Sequence, residues 1–123
     1  MNRTITTLLS LLLVFLAQHI SAQTLKIAVF SDPHYFDTAL LINDGAAFQN
    51  YIASDRKLIA ESYAILDAVV DTVMAASPDI LLIPGDLTKD GSFSSHSHIA
   101  AKLEEMENAG IKVFIAPGNH DIN

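Results

Sequence analysis

Three short apolar runs mark the chain beyond residue 22: residues 25–30, residues 80–83, and residues 111–116 with Lys112 as the polar interruption. None alternates strictly, so they suit strands buried on both faces, as in a parallel sheet. Between the second and third runs the spacing becomes helical. Ile99, Leu103 and Met106 fall at i, i+4 and i+7, while Lys102, Glu104, Glu105 and Glu107 face water. Gly110 is expected to close that helix as its C-terminal cap. A longer helix is expected between the first and second runs. Leu58, Ile59, Ile65, Leu66, Val69, Val70, Val73 and Met74 form one stripe, with Lys57, Glu61, Asp67 and Asp71 mostly off it and Pro78 at its end. The order strand, loop, helix, strand, helix, strand predicts an α/β domain of parallel strands with right-handed crossovers. Residues 31–54 form a connection long enough to be functional or to hide a further element.

The first 22 residues have a different character. Arg3 is the only charge before Lys26, residues 8–17 are apolar apart from Ser10, and small residues stand at Ser21 and Ala22. That is the pattern of a secretory signal peptide cleaved after Ala22. It predicts a mature chain from Gln23 onward, exported to a periplasmic or extracellular space. The apolar run falls short of the roughly 20 residues that span a bilayer, so no stable membrane span is expected once the signal is removed. An uncleaved N-terminal anchor is the alternative. The chain has no cysteine, so export brings no disulfides.

Composition narrows the chemistry. The 123 residues suffice for one domain, and acidic residues outnumber basic ones 14 to 7, for a net charge of −7. Lys and Arg are nowhere clustered, which argues against binding to nucleic-acid backbones. An acidic chain that handles phosphate must import positive charge, and a divalent metal is its natural source.

Each apolar run ends in polar residues out of keeping with a strand. The first ends in Asp32-Pro33-His34, the second in Gly85-Asp86, the third in Gly118-Asn119-His120-Asp121. Parallel strands place all three ends on one edge, where open α/β sheets bind ligands. Carboxylate, imidazole and amide oxygen form a donor set for Mn, Fe, Zn or Mg rather than for a soft metal. Asp32 and His34, two apart on an extended strand exit, would share a face and grip one cation. Gly85 and Gly118 remove side-chain bulk beside the site, letting the backbone turn sharply.

Together the Asp32-x-His34, Gly85-Asp86 and Gly118-Asn119-His120-Asp121 motifs resemble the first three of the calcineurin-like metallophosphoesterases. The resemblance runs from Leu25 to the end of the sequence. It implies the N-terminal part of a phosphoesterase domain over residues 23–123. The fold would be a partial sandwich, with parallel strands flanked by helices and the C-terminal half missing. It also implies a metal-dependent hydrolase of phosphate esters, mono- or di-, with two divalent ions and in-line attack by a metal-bridging hydroxide. Asp32 and His34 would bind the first ion, Asp86 would bridge both, and Asn119 would bind the second. His120 would face the substrate as acid or charge stabiliser, and Asp121 would orient it. The family's later motifs, a lone His and then Gly-His-x-His, have no counterpart here. The second ion would then have only Asp86 and Asn119, and the fragment alone would be inactive.

Taken singly, each motif has a plainer reading. Asp32 and His34 could cap a strand end, Asp86 could cap a turn, and His120 could be an ordinary surface residue. His96 and His98, two apart at an expected helix start, do not share a face and are expected to be exposed beside capping serines. Lys89 and Asp90 are expected as solvated loop charge, and Asp44-Gly45 as a turn. Two other functions stay open: an exported, non-catalytic α/β binding module with a vestigial metal site, and a structural fragment that binds nothing.

Overall fold

The computed structural model describes residues 2–17, 23–40, 45–54 and 57–122. Three parallel strands form one sheet in the order β1-β2-β3, with β1 at Ile27–Val29, β2 at Ile80–Gly85 and β3 at Lys112–Pro117. Ile27 pairs with Ile80, and Ile80 with Lys112, so the strands start nearly level. Asp79 staples that starting edge. Its carboxylate accepts the Lys26 N–H at 2.7 Å, and its backbone carbonyl accepts the Lys112 N–H at 3.2 Å.

Two crossover helices cover one face of the sheet. α3 (Ser62–Ala76) buries Leu66, Val70 and Val73, and α4 (Phe93–Asn108) buries Ile99 and Met106. Both meet Leu81 and Ile83 of β2 in a single core that also holds Tyr35, Leu87 and Ile111. The opposite face is apolar too, but Ile27, Val29, Leu82 and Phe114 are all exposed. Burial on both faces, expected from the apolar runs, therefore holds on one face only. The runs are apolar throughout, so they could not say which face the helices would take.

Gly110 ends α4 as expected. It adopts φ +93; its N–H reaches the Glu107 carbonyl at 2.9 Å, and the Ile111 N–H reaches the Met106 carbonyl at 3.2 Å. This pair of bonds is the Schellman closure of a helix.

The long connection after β1 contains a 3-10 turn, Thr38–Leu40, and a helix, α2, over Ala46–Ser54. α2 buries no residue fully, and only Phe48 and Ile52 are half-buried, too thin a stripe to read as a helix. The stripe expected from residue 58 becomes helical only at Ser62. Ile59 is buried ahead of the helix, while Leu58 and Ile65 stay exposed.

The first helix, α1, spans Arg3–Ala17 and exposes Leu8, Leu9, Leu11 and Leu12. Among the described residues, no helix is long and apolar enough to cross a membrane. Ser21 and Ala22 at the expected cleavage point, His19, and Asp44 of the expected turn lie outside the described residues.

Candidate metal centre

The loops leaving β1 and β2 run side by side past the ends of the strands. The His34 N–H donates to the Asp86 carbonyl at 3.2 Å, Tyr35 N–H to Leu87 at 2.9 Å, and Lys89 N–H to Tyr35 at 3.0 Å. This zipper sets the first motif against the second. The third is added by carboxylates. The Asp86 N–H donates to Asp32 Oδ1 at 3.2 Å, and the His120 N–H donates to Asp86 Oδ1 at 2.8 Å. The carboxylates of the first two motifs thus each accept a backbone N–H from the next motif.

Asp32, His34 and Asp86 each bring one ligand atom into a group whose members lie within 4.8 Å of one another. His34 Nε2 lies 3.7 Å from Asp86 Oδ2. The donor set is two carboxylates and an imidazole, the chemistry of a borderline or hard divalent ion. The glycines keep the room these carboxylates occupy. A Cβ on Gly85 would fall 2.5 Å from Asp32 Oδ1, and one on Gly118 would collide with Asp86 Oδ1. Gly85 also needs its φ of +95. Gly118 does not share that need: its φ of −97 is open to any residue, and it is glycine for space rather than for a sharp turn.

The route by which Asp32 and His34 meet differs from the expected extended exit. β1 stops at Val29, and both residues adopt left-handed backbone, φ 52 and φ 44. Such conformations cost on the order of 1–3 kcal/mol each in a residue with a side chain, and they gather at functional sites. Two left-handed turns bring the pair together where a straight strand was expected to.

Charge is tuned at the site. The Asp32 carboxyl is held below its ordinary 3.8, first by the Ser31 hydroxyl and next by the Asp86 N–H. His34 is held below its ordinary 6.5, first by burial and second by the Lys57 ammonium. Both shifts favour the forms that donate lone pairs to a metal, a charged carboxylate and a neutral imidazole.

His120 stands beside this group, its ring T-shaped to His34 with centroids 5.2 Å apart. Its Nδ1 lies 2.7 Å from the Lys89 carbonyl oxygen. A carbonyl can only accept, so Nδ1 carries a proton. Asn119 is exposed at the start of a 3-10 turn, Asn119–Asp121. The Asp121 carboxylate is engaged with other groups than the His120 ring. It accepts N–H bonds from Leu87 at 3.0 Å, Thr88 at 2.7 Å and Gly118 at 3.0 Å, plus the Thr88 hydroxyl at 2.9 Å. Asp121 therefore ties the loop after β2 to the loop after β3, and the Lys89 carbonyl orients the imidazole.

Several contributors gave no sequence signal of their own. Thr88 is fully buried, and its hydroxyl also accepts the Gly91 N–H at 3.0 Å. A hydroxyl after Gly-Asp-Leu reads like any loop residue until Asp121 is beside it. Lys89 acts through its main chain, and its ammonium lies 5.4 Å from the Tyr51 ring centroid. Lys57 reaches the site from the segment before α3, with Nζ 3.3 Å from His34 Nδ1 and 3.4 Å from His120 Nε2. His96 and His98 are half-buried inside α4 rather than exposed at its start. His96 Nε2 donates to the Asp121 carbonyl at 3.1 Å, and His98 stacks on Tyr35 with centroids 4.7 Å apart. Ser92, at the N-cap, bonds Ser95 Oγ at 2.8 Å instead of capping the helix.

Asp121 supports a stability prediction. Burial raises its pKa, but the N–H bonds from Thr88, Leu87 and Gly118 outweigh this and hold it below 3.8. A depressed carboxyl contributes stability that is present above its unfolded pKa and lost as pH falls through the lower folded value. Asp121→Asn should destabilise the protein by about 1–3 kcal/mol at pH 7. The gap to wild type in urea titrations should narrow below an ordinary carboxylate pKa of about 3.9. A gap of the same size at pH 3 and pH 7 would contradict this role.

Residues 25–123 match the family model of the calcineurin-like phosphoesterases. The chain is 33% identical over 100 residues to a probable cyclic nucleotide phosphodiesterase of Synechococcus, covering 81% of this chain and 32% of that protein. It is 38% identical over 56 residues to a probable cyclic nucleotide phosphodiesterase of Vesicomyosocius okutanii, covering 46% of this chain and 23% of that protein. The chain thus spans a third or less of the length of these relatives. A family match over the whole segment that bears the Asp32, Asp86 and His120 motifs establishes that the chain belongs to the calcineurin-like phosphoesterase family.

Proposed function

We propose that the intact protein is an exported, metal-dependent hydrolase of phosphate esters, and that this chain carries its first metal position and its leaving-group acid. The observation that carries this reading is the Asp32–His34–Asp86 group, within 4.8 Å, with His120 against it. The relatives' names, both probable cyclic nucleotide phosphodiesterases, favour a diester over a monoester substrate. Bound divalent ions, two of Mn, Fe, Zn or Mg in this proposal, supply Lewis-acid charge and an activated water near neutral pH.

Asp32, His34 and Asp86 would hold the first ion, and Asp86 and Asn119 would contribute to the second. His120 is oriented for proton delivery or charge stabilisation. Its Nδ1–H is fixed on the Lys89 carbonyl, so Nε2, 3.4 Å from the Lys57 ammonium, is the ring atom that would face a departing ester oxygen with no ring rotation needed. Asp121 and Thr88 keep the loop that bears His120 in register with the loop that bears Asp86.

Paired variants of the intact protein separate these roles. Asp86→Ala should lose bound metal and activity together. His120→Ala should keep its metal while kcat falls about 10²–10⁴-fold. Elemental analysis beside phosphodiesterase kinetics measures both. An active, metal-free wild type would refute the proposal, as would a His120→Ala variant with unchanged rate. An intact wild type that binds metal without turnover would favour a binding module instead.

Residues 23–123 by themselves offer one ion Asp32, His34 and Asp86, and a second only Asp86 and Asn119. Tightly held ions of this kind take about four to six donors. This segment expressed alone should therefore bind at most one Mn²⁺ or Zn²⁺ weakly by isothermal titration, and should not turn over an aryl phosphate. Two tight ions per monomer would overturn that expectation.

Export rests on residues 1–22, where α1 carries exposed leucines and no acidic residue. N-terminal sequencing of exported protein should begin at Gln23. Cytosolic material that retains Met1 would remove the argument.

A further inference from the structure

Lys57 takes a place that the roles above leave unexplained. It precedes α3 in a chain of net charge −7, yet its ammonium stands between two site histidines from different loops. Its Nζ lies 3.3 Å from His34 Nδ1 and 3.4 Å from His120 Nε2. Both separations are long beside the 2.7–2.9 Å of a charge-assisted bond between an ammonium and an anionic oxygen, as orders of magnitude go roughly 0.5 Å longer. An arriving phosphoryl oxygen would bond this ammonium more strongly than either ring nitrogen does.

The surroundings give the same direction. Lys57 lines a cavity of about 300 Å³ that also touches Asp32 and His34 and continues along Leu58, Ile65 and Val69. Leu58, ahead of α3, and Ile65, within it, are the two members of the expected apolar stripe that stay exposed, at 63% and 41%. The cavity lining thus joins charged and polar groups to apolar side chains. That combination suits an ester with an anionic phosphoryl group and an apolar or planar alcohol portion.

We infer that Lys57 is a substrate-anchoring residue, its ammonium gripping a non-bridging phosphoryl oxygen while the Leu58–Ile65–Val69 wall receives the organic part of the ester. The inference rests on the phosphoester reading above. Lysine serves here as a point charge that holds phosphate in ground state and transition state alike, so its loss should act mainly on binding.

The test uses the intact protein loaded with Mn²⁺, as wild type, Lys57→Met and Lys57→Arg. Bound metal is measured by elemental analysis, KM and kcat with an aryl phosphodiester, and Ki with inorganic phosphate. Lys57→Met should keep its metal, raise KM and the phosphate Ki about tenfold or more, and change kcat less. Lys57→Arg, which retains the charge, should recover most of the lost affinity. A Lys57→Met phosphate Ki within twofold of an active wild type would overturn the inference alone. Metal loss from Lys57→Met that accounts for its lost activity would also overturn it, by making Lys57 a support of the metal group. A wild type without turnover or phosphate binding would overturn the phosphoester reading and this inference with it.

Discussion

The site depends on carboxylates accepting backbone N–H groups across the ends of neighbouring parallel strands. Asp32 takes the N–H of Asp86, Asp86 takes that of His120, and Asp121 takes those of Leu87 and Thr88. Strand pairing alone stops at the level of Gly85 and Pro117. Beyond that level, charge-assisted hydrogen bonds join the backbone zipper from His34 to Lys89, and each costs more to lose than a neutral one. The same carboxylates are therefore placed for two uses. They organise the loops, and two of the three carboxylates also face the position a cation would take.

This double use explains the glycines and the unusual backbone. A carboxylate that packs against a neighbouring strand end needs space where a side chain would stand, and Gly85 and Gly118 leave it. A first motif that must face sideways toward Asp86 cannot continue as a strand, so Asp32 and His34 take left-handed conformations. Asp and His are among the residues that tolerate this region best. The cost is offset by the zipper of backbone bonds from His34 to Lys89 and by Tyr35, buried in the core immediately after the motif.

Electrostatics follow the same plan. An acidic chain places two carboxylates at the site, an arrangement that would repel a phosphate ester unless positive charge is supplied. A divalent ion on Asp32, His34 and Asp86 would be one source, and Lys57, near Nδ1 of the His34 ring whose Nε2 faces Asp86, would be a second. His34 lies between them, with Nε2 toward Asp86 and Nδ1 toward Lys57.

The primary sequence by itself determined the order of elements along the chain, the parallel strands and the three motifs. Apolar runs and helical spacing report burial directly, and Gly-Asn-His-Asp keeps its chemistry whatever surrounds it. It placed Asp32, His34 and Asp86 on one edge because parallel strands leave no other choice. Gly110 was readable as a helix end because a C-terminal glycine is a local device. The rest was decided by tertiary contact. Thr88, the Lys89 carbonyl and Lys57 reach the site through partners 23 to 63 residues away in sequence, and no local pattern encodes such distances. His96 and His98 looked like exposed polar residues until Asp121 and Tyr35 were packed against them. α2 carried too few buried positions to show a period. The covered face of the sheet could not be read from runs that are apolar on both sides, because hydrophobicity records a tendency to be buried and only packing assigns the partner.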